Sequence, residues 1–153
     1  MKHLITVLSC LICIQLFACC NKSNEVTSNP DNVLNTDNIK LKIAVGTNTF
    51  TGTLAYNATV TAFKTRLPMT IIMRELNGNE KYFDLPNTLP ANASNPGTIH
   101  AGDLMLYDLN TFVLFYKSFS TSYSYTPMGR IDDISGLTAA LGLGNVTVTF
   151  AIH

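Results

Sequence analysis

Residues able to do chemistry are sparse in this 153-residue chain, and their types and spacing limit what they can do. Beyond residue 38 the imidazoles are His100 and the terminal His153. Serine-histidine nucleophilic chemistry would therefore run through His100, with a nucleophile and an orienting acid brought beside it. A histidine directly before Ala101-Gly102-Asp103 reads instead as a turn residue. His100 and Asp103 together supply two ligands, whereas zinc takes three or four from the protein. Gly142-Leu143-Gly144 ends a helical stretch and enters a strand, the reverse of the order in which a glycine loop cradles phosphate. Glu75 and Glu80 straddle Asn77-Gly78, and carboxylates on such a hairpin are usually solvated. No catalytic residue, metal site or cofactor is expected from these patterns.

Recognition chemistry is better represented. If Phe115–Tyr125 stays extended, Phe115, Lys117, Phe119, Thr121, Tyr123 and Tyr125 share one face, while Tyr116 and four serines share the other. The plain account is a strand with aromatics in the core and serines in water. The sharper account is a binding surface, because tyrosine joins a flat apolar body to a hydrogen-bonding tip and Lys117 lies on the aromatic side. A continuous strand of that length is uncommon, so the serine-rich part is expected to bend into a loop. Arg130, after Gly129, either supplies the fixed charge of a pocket or braces Asp132 or Asp133. Glu75 and Arg130 are expected to meet at one cavity with Tyr82 and Tyr123 as walls, so the candidate ligand-binding set is Glu75, Tyr82, Lys117, Tyr123, Tyr125 and Arg130.

The elements that must position these groups are mostly short strands. Ile39 to Val45 alternates apolar residues with Lys40 and Lys42, the period of a half-buried strand. Gly46-Thr47-Asn48 turns it toward Phe50 to Leu54. Asn57 caps a helix over Ala58 to Leu67, which Pro68 terminates. Strands return at Met69 to Met73, Leu104 to Tyr107, Thr111 to Lys117 and Val146 to Ile152, with turns at Asn77-Gly78 and Asn95-Pro96-Gly97. A second helix is expected over Ser135 to Leu141, stopped by Gly142. About eight strands with two helices suit a mainly β closed barrel, since closure removes exposed edges.

The N-terminal region gives an address. Met1-Lys2-His3 precedes an apolar run from Leu4 to Ala18, too short to span a membrane but of signal-peptide length. Leu16-Phe17-Ala18-Cys19 is similar to the lipobox of bacterial lipoproteins. That places a cleaved signal over 1–18 and a lipid on Cys19, with Cys20 the rival. Two or more acyl chains hold a protein on a membrane stably, so the membrane is an expected partner and the cell envelope, outside the cytoplasm, the expected location. Residues 19–38 hold six asparagines and no apolar periodicity, the composition of a disordered tether. The domain expected over 39–153 has no cysteine, which excludes disulfides, thiol catalysis and cysteine metal sites there. Its eight basic and seven acidic side chains form no stripe that would argue for nucleic acid.

Several ordered blocks carry a resemblance. Glu75-Leu76-Asn77-Gly78-Asn79-Glu80-Lys81-Tyr82-Phe83-Asp84-Leu85-Pro86, Gly102-Asp103-Leu104-Met105-Leu106-Tyr107, the run Leu114 to Tyr125 and Gly129-Arg130-Ile131 together resemble the bacterial cyclophilin-like domain family, from about Leu41 to Phe150. The resemblance implies a closed eight-stranded barrel with two short capping helices. True cyclophilins set an arginine in a Phe-His-Arg strand, with a downstream glutamine and a phenylalanine-rich pocket often including tryptophan. This chain has neither Phe-His-Arg nor any tryptophan. The expected function is thus a lipid-anchored, non-catalytic module that binds a peptide or small ligand; the alternative is a prolyl isomerase with altered site residues.

Overall fold

The computed structural model describes residues 38–153, so the expected signal segment, Cys19 and the tether up to residue 37 lie outside the described residues. Within them the period-2 patterns become strands β1 (Lys40–Val45), β2 (Asn48–Leu54), β3 (Met69–Leu76), β4 (Glu80–Asp84), β5 (Thr98–Ile99), β6 (Asp103–Tyr107), β7 (Thr111–Phe115), β8 (Phe119–Ser120), β9 (Tyr125–Ile131) and β10 (Val146–Ile152). Eight of them close into one antiparallel barrel in the ring order β1-β10-β3-β4-β7-β6-β9-β2, and β5 pairs with β8 as a separate ribbon. This is the mainly β, closed eight-stranded barrel expected from the sequence. Pro127, which has no N–H to give, is accommodated within β9 where the pairing with β6 shifts register between Leu104 and Met105.

Register divides the side chains into two sets. Leu41, Ile43 and Val45 of β1, Ile71 and Met73 of β3, Leu104 and Leu106 of β6, Phe112 and Leu114 of β7, and Val148 and Phe150 of β10 fill the barrel. Helix α1 (Ala58–Lys64) closes the end where its Phe63 ring lies 4.9 Å from Phe112. Helix α2 (Leu137–Leu141) closes the other end, where Thr138 donates to the carbonyl of Tyr116. Asn57 accepts from the Val60 amide as the expected cap of α1. That helix stops three residues short of Leu67, because the residue before Pro68 disfavours helical backbone. The second helix begins two residues later than expected, since Gly136 sits at φ 78° outside the helical region.

A second cluster packs on the outside of the barrel. Ile99, Met105, Val113, Phe115 and Tyr125 are buried together, with Tyr82 and Phe119 against them. The ribbon β5-β8 covers part of this outer face: Ile99 on β5 is fully buried, and Phe119 on β8 stacks on Phe115 at 5.6 Å. The run Phe115–Tyr125 therefore does not continue as one strand. It leaves β7 at Phe115, touches the ribbon at Phe119–Ser120 and re-enters the barrel at Tyr125, the bend expected of its serine-rich part.

Candidate functional site

Strand pairing alone assembles an aromatic wall on the outer face. Arg74 is opposite Tyr82, Leu76 opposite Glu80, Tyr82 opposite Val113, Asp84 opposite Thr111, Thr111 opposite Tyr107, and Tyr107 opposite Tyr125. Because alternate residues share a face, Glu80, Tyr82 and Asp84 all point away from the core while Lys81 and Phe83 point inward. The bend after β8 brings Tyr123 back over Tyr107, ring centres 6.1 Å apart and edge to face, while Tyr125 lies 5.5 Å from both Tyr107 and Phe115. The result is a cavity of about 410 Å³ with Tyr82, Tyr107, Phe119, Tyr123 and Tyr125 in its wall and Val113 and Thr111 beside them. That volume is in the range of small-molecule sites.

The polar groups in this wall include tyrosine and threonine hydroxyls and the Asn77 and Asn79 amides, which both donate and accept. Glu80 and Asp84 are its two charged residues. Asp84 is engaged by Arg74, whose guanidinium also lies 4.6 Å from the centre of the Tyr82 ring, and it accepts a hydrogen bond from Thr111. Glu80 has no hydrogen-bond or ionic partner among the described residues. Burial, with the Glu75 carboxylate adding to it, pushes the Glu80 carboxyl up to about 7. Asn79, also in the wall, has a buried side-chain oxygen with no donor on it. Burial chiefly raises the Tyr125 phenol, and Glu80 adds to it.

The inward side of the same hairpin carries a different arrangement. Lys81 is fully buried, and its ammonium donates to Glu75 and to the carbonyls of Gly144 at 2.6 Å and Gly142 at 3.0 Å. Tyr116 donates to the other oxygen of Glu75 at 2.7 Å, and the Gly78 amide donates there at 3.0 Å. Burial raises the Glu75 carboxyl, but the hydrogen bonds from Lys81 and Tyr116 and the Lys81 charge outweigh it and hold it below the ordinary value. Burial and the Glu75 carboxylate push the Tyr116 phenol to about 12. The carbonyls after α2 thus meet a buried cation, which gives Gly142-Leu143-Gly144 a structural task.

The six candidate residues separate into three groups. Tyr82, Tyr123 and Tyr125 share the aromatic cavity. Glu75 and Lys117 border a second hollow of about 380 Å³ under α2, with Tyr116, Thr138 and Leu143. Arg130 is in neither. The meeting of Glu75 and Arg130 expected from sequence does not occur: β3 and β9 stand four strands apart in a ring of eight, on opposite sides of the barrel. Arg130 faces Asp103 at 3.6 Å and the Ala101 carbonyl at 3.5 Å, so its acid is neither Asp132 nor Asp133. Asp132 pairs with Lys40 and Thr53, and Asp133 accepts from the Ser135 amide. His100 gives its backbone amide to Asp103 at 2.7 Å, as a turn residue does. Among the described residues no three His, Cys, Asp or Glu side chains group closely enough to hold a metal ion.

Sequence reasoning did not single out Tyr107, Phe119 or Glu80 as site residues, or Lys81 as a buried cation. Parity around Asn77-Gly78 carries part of the signal: Glu80, Tyr82 and Asp84 alternate with Lys81 and Phe83 across a turn whose Asn77 and Gly78 take φ of 56° and 69°.

A model of the Cyclophilin-like family matches residues 43–151. The solution structure of the hypothetical protein AF2241 from Archaeoglobus fulgidus superposes with a TM-score of 0.52 at 16% identity, over 76% of this chain and 95% of that one, a likeness of fold. No curated protein matches the sequence.

Proposed function

The chain belongs to the Cyclophilin-like family, and from that premise we propose that its domain is a binding module, tethered by lipid on Cys19 in the bacterial envelope, which takes a peptide or small ligand in the outer-face aromatic cavity. The observation that carries this reading is convergence: four of the chain's six tyrosines stand in one cavity, although they come from β4, β6, β9 and the loop after β8. Flat rings with hydroxyl tips recognise ligands at small cost in conformational entropy. Lipid anchoring is supported by Leu16-Phe17-Ala18-Cys19 and the polar stretch behind it.

The chain has no tryptophan, so its intrinsic fluorescence is that of six tyrosines, four of which line the cavity. Titrating the intact chain in detergent with short peptides and small amide and aromatic fragments should give saturable changes in that emission. Tyr123→Ala should weaken the response by about 1 kcal/mol, roughly fivefold, through loss of one ring contact. Because Tyr123 is 62% exposed, its removal should leave the melting temperature nearly unchanged. Unaltered affinity in Tyr123→Ala, or no saturable response to any compound, would overturn the cavity assignment.

One observation favours the prolyl isomerase reading: Arg74 lies beside Tyr82 at the rim of this face. Asp84 holds its guanidinium, however, which opposes use of that charge on an amide. Uncatalysed exchange at X-Pro takes tens of seconds or more, so even weak catalysis is measurable. The protein should not accelerate isomerisation of an Ala-Pro peptide; a rate rising with protein concentration would decide for the enzyme.

A further inference from the structure

The charge and hydrogen-bonding character of the cavity select a ligand class, on the reading that this cavity is where ligand binds. Its wall contains two carboxylates and no cation. One of them, Asp84, is already matched by Arg74. The other, Glu80, has no hydrogen-bond or ionic partner among the described residues. An ionised carboxylate only accepts, so its unmet need is for N–H donors and for positive charge. The rings add a third preference, since aromatic faces attract cations. The protein already shows it in Arg74, 4.6 Å from the Tyr82 centroid.

We propose that the cavity takes a primary alkylammonium group, with Glu80 as its counter-charge and Tyr107, Tyr123 and Tyr125 as the aromatic wall around its alkyl chain. The group can belong to a free amine or to a lysine side chain of a peptide. A neutral alkyl chain of the same length fills the space but leaves Glu80 unmatched and more deeply buried. A quaternary ammonium answers the charge but has no N–H to donate to Glu80.

Acid should weaken this binding. Glu80 titrates near 7 and an alkylammonium near 10.4, so between pH 8 and pH 5.5 only the protein's carboxylate changes state. The charged and titratable groups around Glu80 are Glu75 and Arg74 on β3, Lys81, Tyr82 and Asp84 on β4, Tyr116 just after β7, Tyr107 on β6, Tyr125 on β9 and Tyr123 in the loop before it. Protonating Glu80 removes the one carboxylate in the wall that has no partner.

Tyrosine emission of the intact chain in detergent can be titrated with n-butylamine, Nα-acetyl-lysine methylamide, its neutral counterpart Nα-acetyl-norleucine methylamide, and tetramethylammonium. Both amines should bind at least tenfold more tightly than the norleucine compound and more tightly than tetramethylammonium; a lysine compound well ahead of butylamine identifies a peptide as the source. Glu80→Gln, isosteric and on the outer face, should weaken the amines tenfold or more and leave the norleucine compound unaffected. Moving from pH 8 to pH 5.5 should weaken the amines about tenfold in the parent chain but not in Glu80→Gln. Equal binding of norleucine and lysine compounds, or indifference to Glu80→Gln, would overturn the ammonium assignment while leaving a ligand cavity in place. Silence from all four probes would also overturn it, and the fragment titration with Tyr123→Ala then decides separately whether the cavity binds anything.

Discussion

Lys81 shows how much one residue can change when the barrel closes. In the sequence it stands between Glu80 and Tyr82 after the Asn77-Gly78 turn, with no sign of burial. In the fold it lies among Glu75, Gly142 and Gly144, with Tyr116 at 5.5 Å from its ammonium. Removing one partner of a buried pair is costly because the other is left unmatched, by about 3 to 5 kcal/mol when both are buried. Glu75 retains 20% side-chain exposure, so Lys81→Ala should lose about 3 kcal/mol, read as a lower urea midpoint with unchanged slope. In combination with Glu75→Gln the losses should not add, because the two residues share one interaction. Strict additivity would show that the contact contributes nothing. Nothing in the local pattern announces this lysine, since two of its three acceptors, the Gly142 and Gly144 carbonyls, lie more than sixty positions away in a loop that only closure brings near. Tyr82, Tyr123 and Tyr125 were legible as wall residues, and they do line one cavity, because a flat ring with a hydroxyl tip is a property of the residue itself. Glu75 and Arg130 were misread because scarcity of charge says nothing about which side of a ring a strand occupies.

At the level of elements, hydrophobic alternation located β1, β2, β3, β6, β7 and β10 to within a few residues, because each has one face in the barrel. It was silent on β9. There a proline, a glycine and a register shift interrupt the period, and neighbours rather than propensity hold the strand in place. Gly129 marks the tightest contact: a Cβ there would stand 2.5 Å from the Thr53 carbonyl oxygen and 3.0 Å from Leu54 Cα, both backbone atoms of β2. Gly129→Ala must push β9 away from β2 at the seam where these two strands pair. A loss of about 1 to 3 kcal/mol is expected for such overpacking, seen as a melting temperature lowered by roughly 5 to 10 °C. An unchanged midpoint would mean that the seam is loose. The outer cluster around Phe115 and Tyr125 was half legible: the aromatic face was visible in sequence, but that it packs on the outside of the barrel follows only from where the bend after β7 returns the chain.

For the whole molecule, the family and the closed barrel were legible because ordered blocks recur over most of the chain, and a ring of eight strands satisfies every edge those blocks create. The lipid attachment we propose is a separate matter, resting on Leu16-Phe17-Ala18-Cys19 outside the described residues. Cys19→Ala should release the protein from the membrane fraction or leave it unprocessed, followed by palmitate labelling; labelling that persists would move the lipid to Cys20 or remove it from the account. The cavity lies on the outer barrel face, where a ligand can enter without opening the core.

The most direct test of that arrangement uses the six tyrosines as separate reporters. With ring-labelled tyrosine in the intact chain, resonances followed by NMR during titration with the fragment set should move for Tyr82, Tyr107, Tyr123 and Tyr125 and stay fixed for Tyr56, which is 84% exposed away from the wall. Shifts confined to Tyr116, in the hollow under α2, or spread evenly over all six, would contradict the claim that the outer-face cavity is where this protein binds.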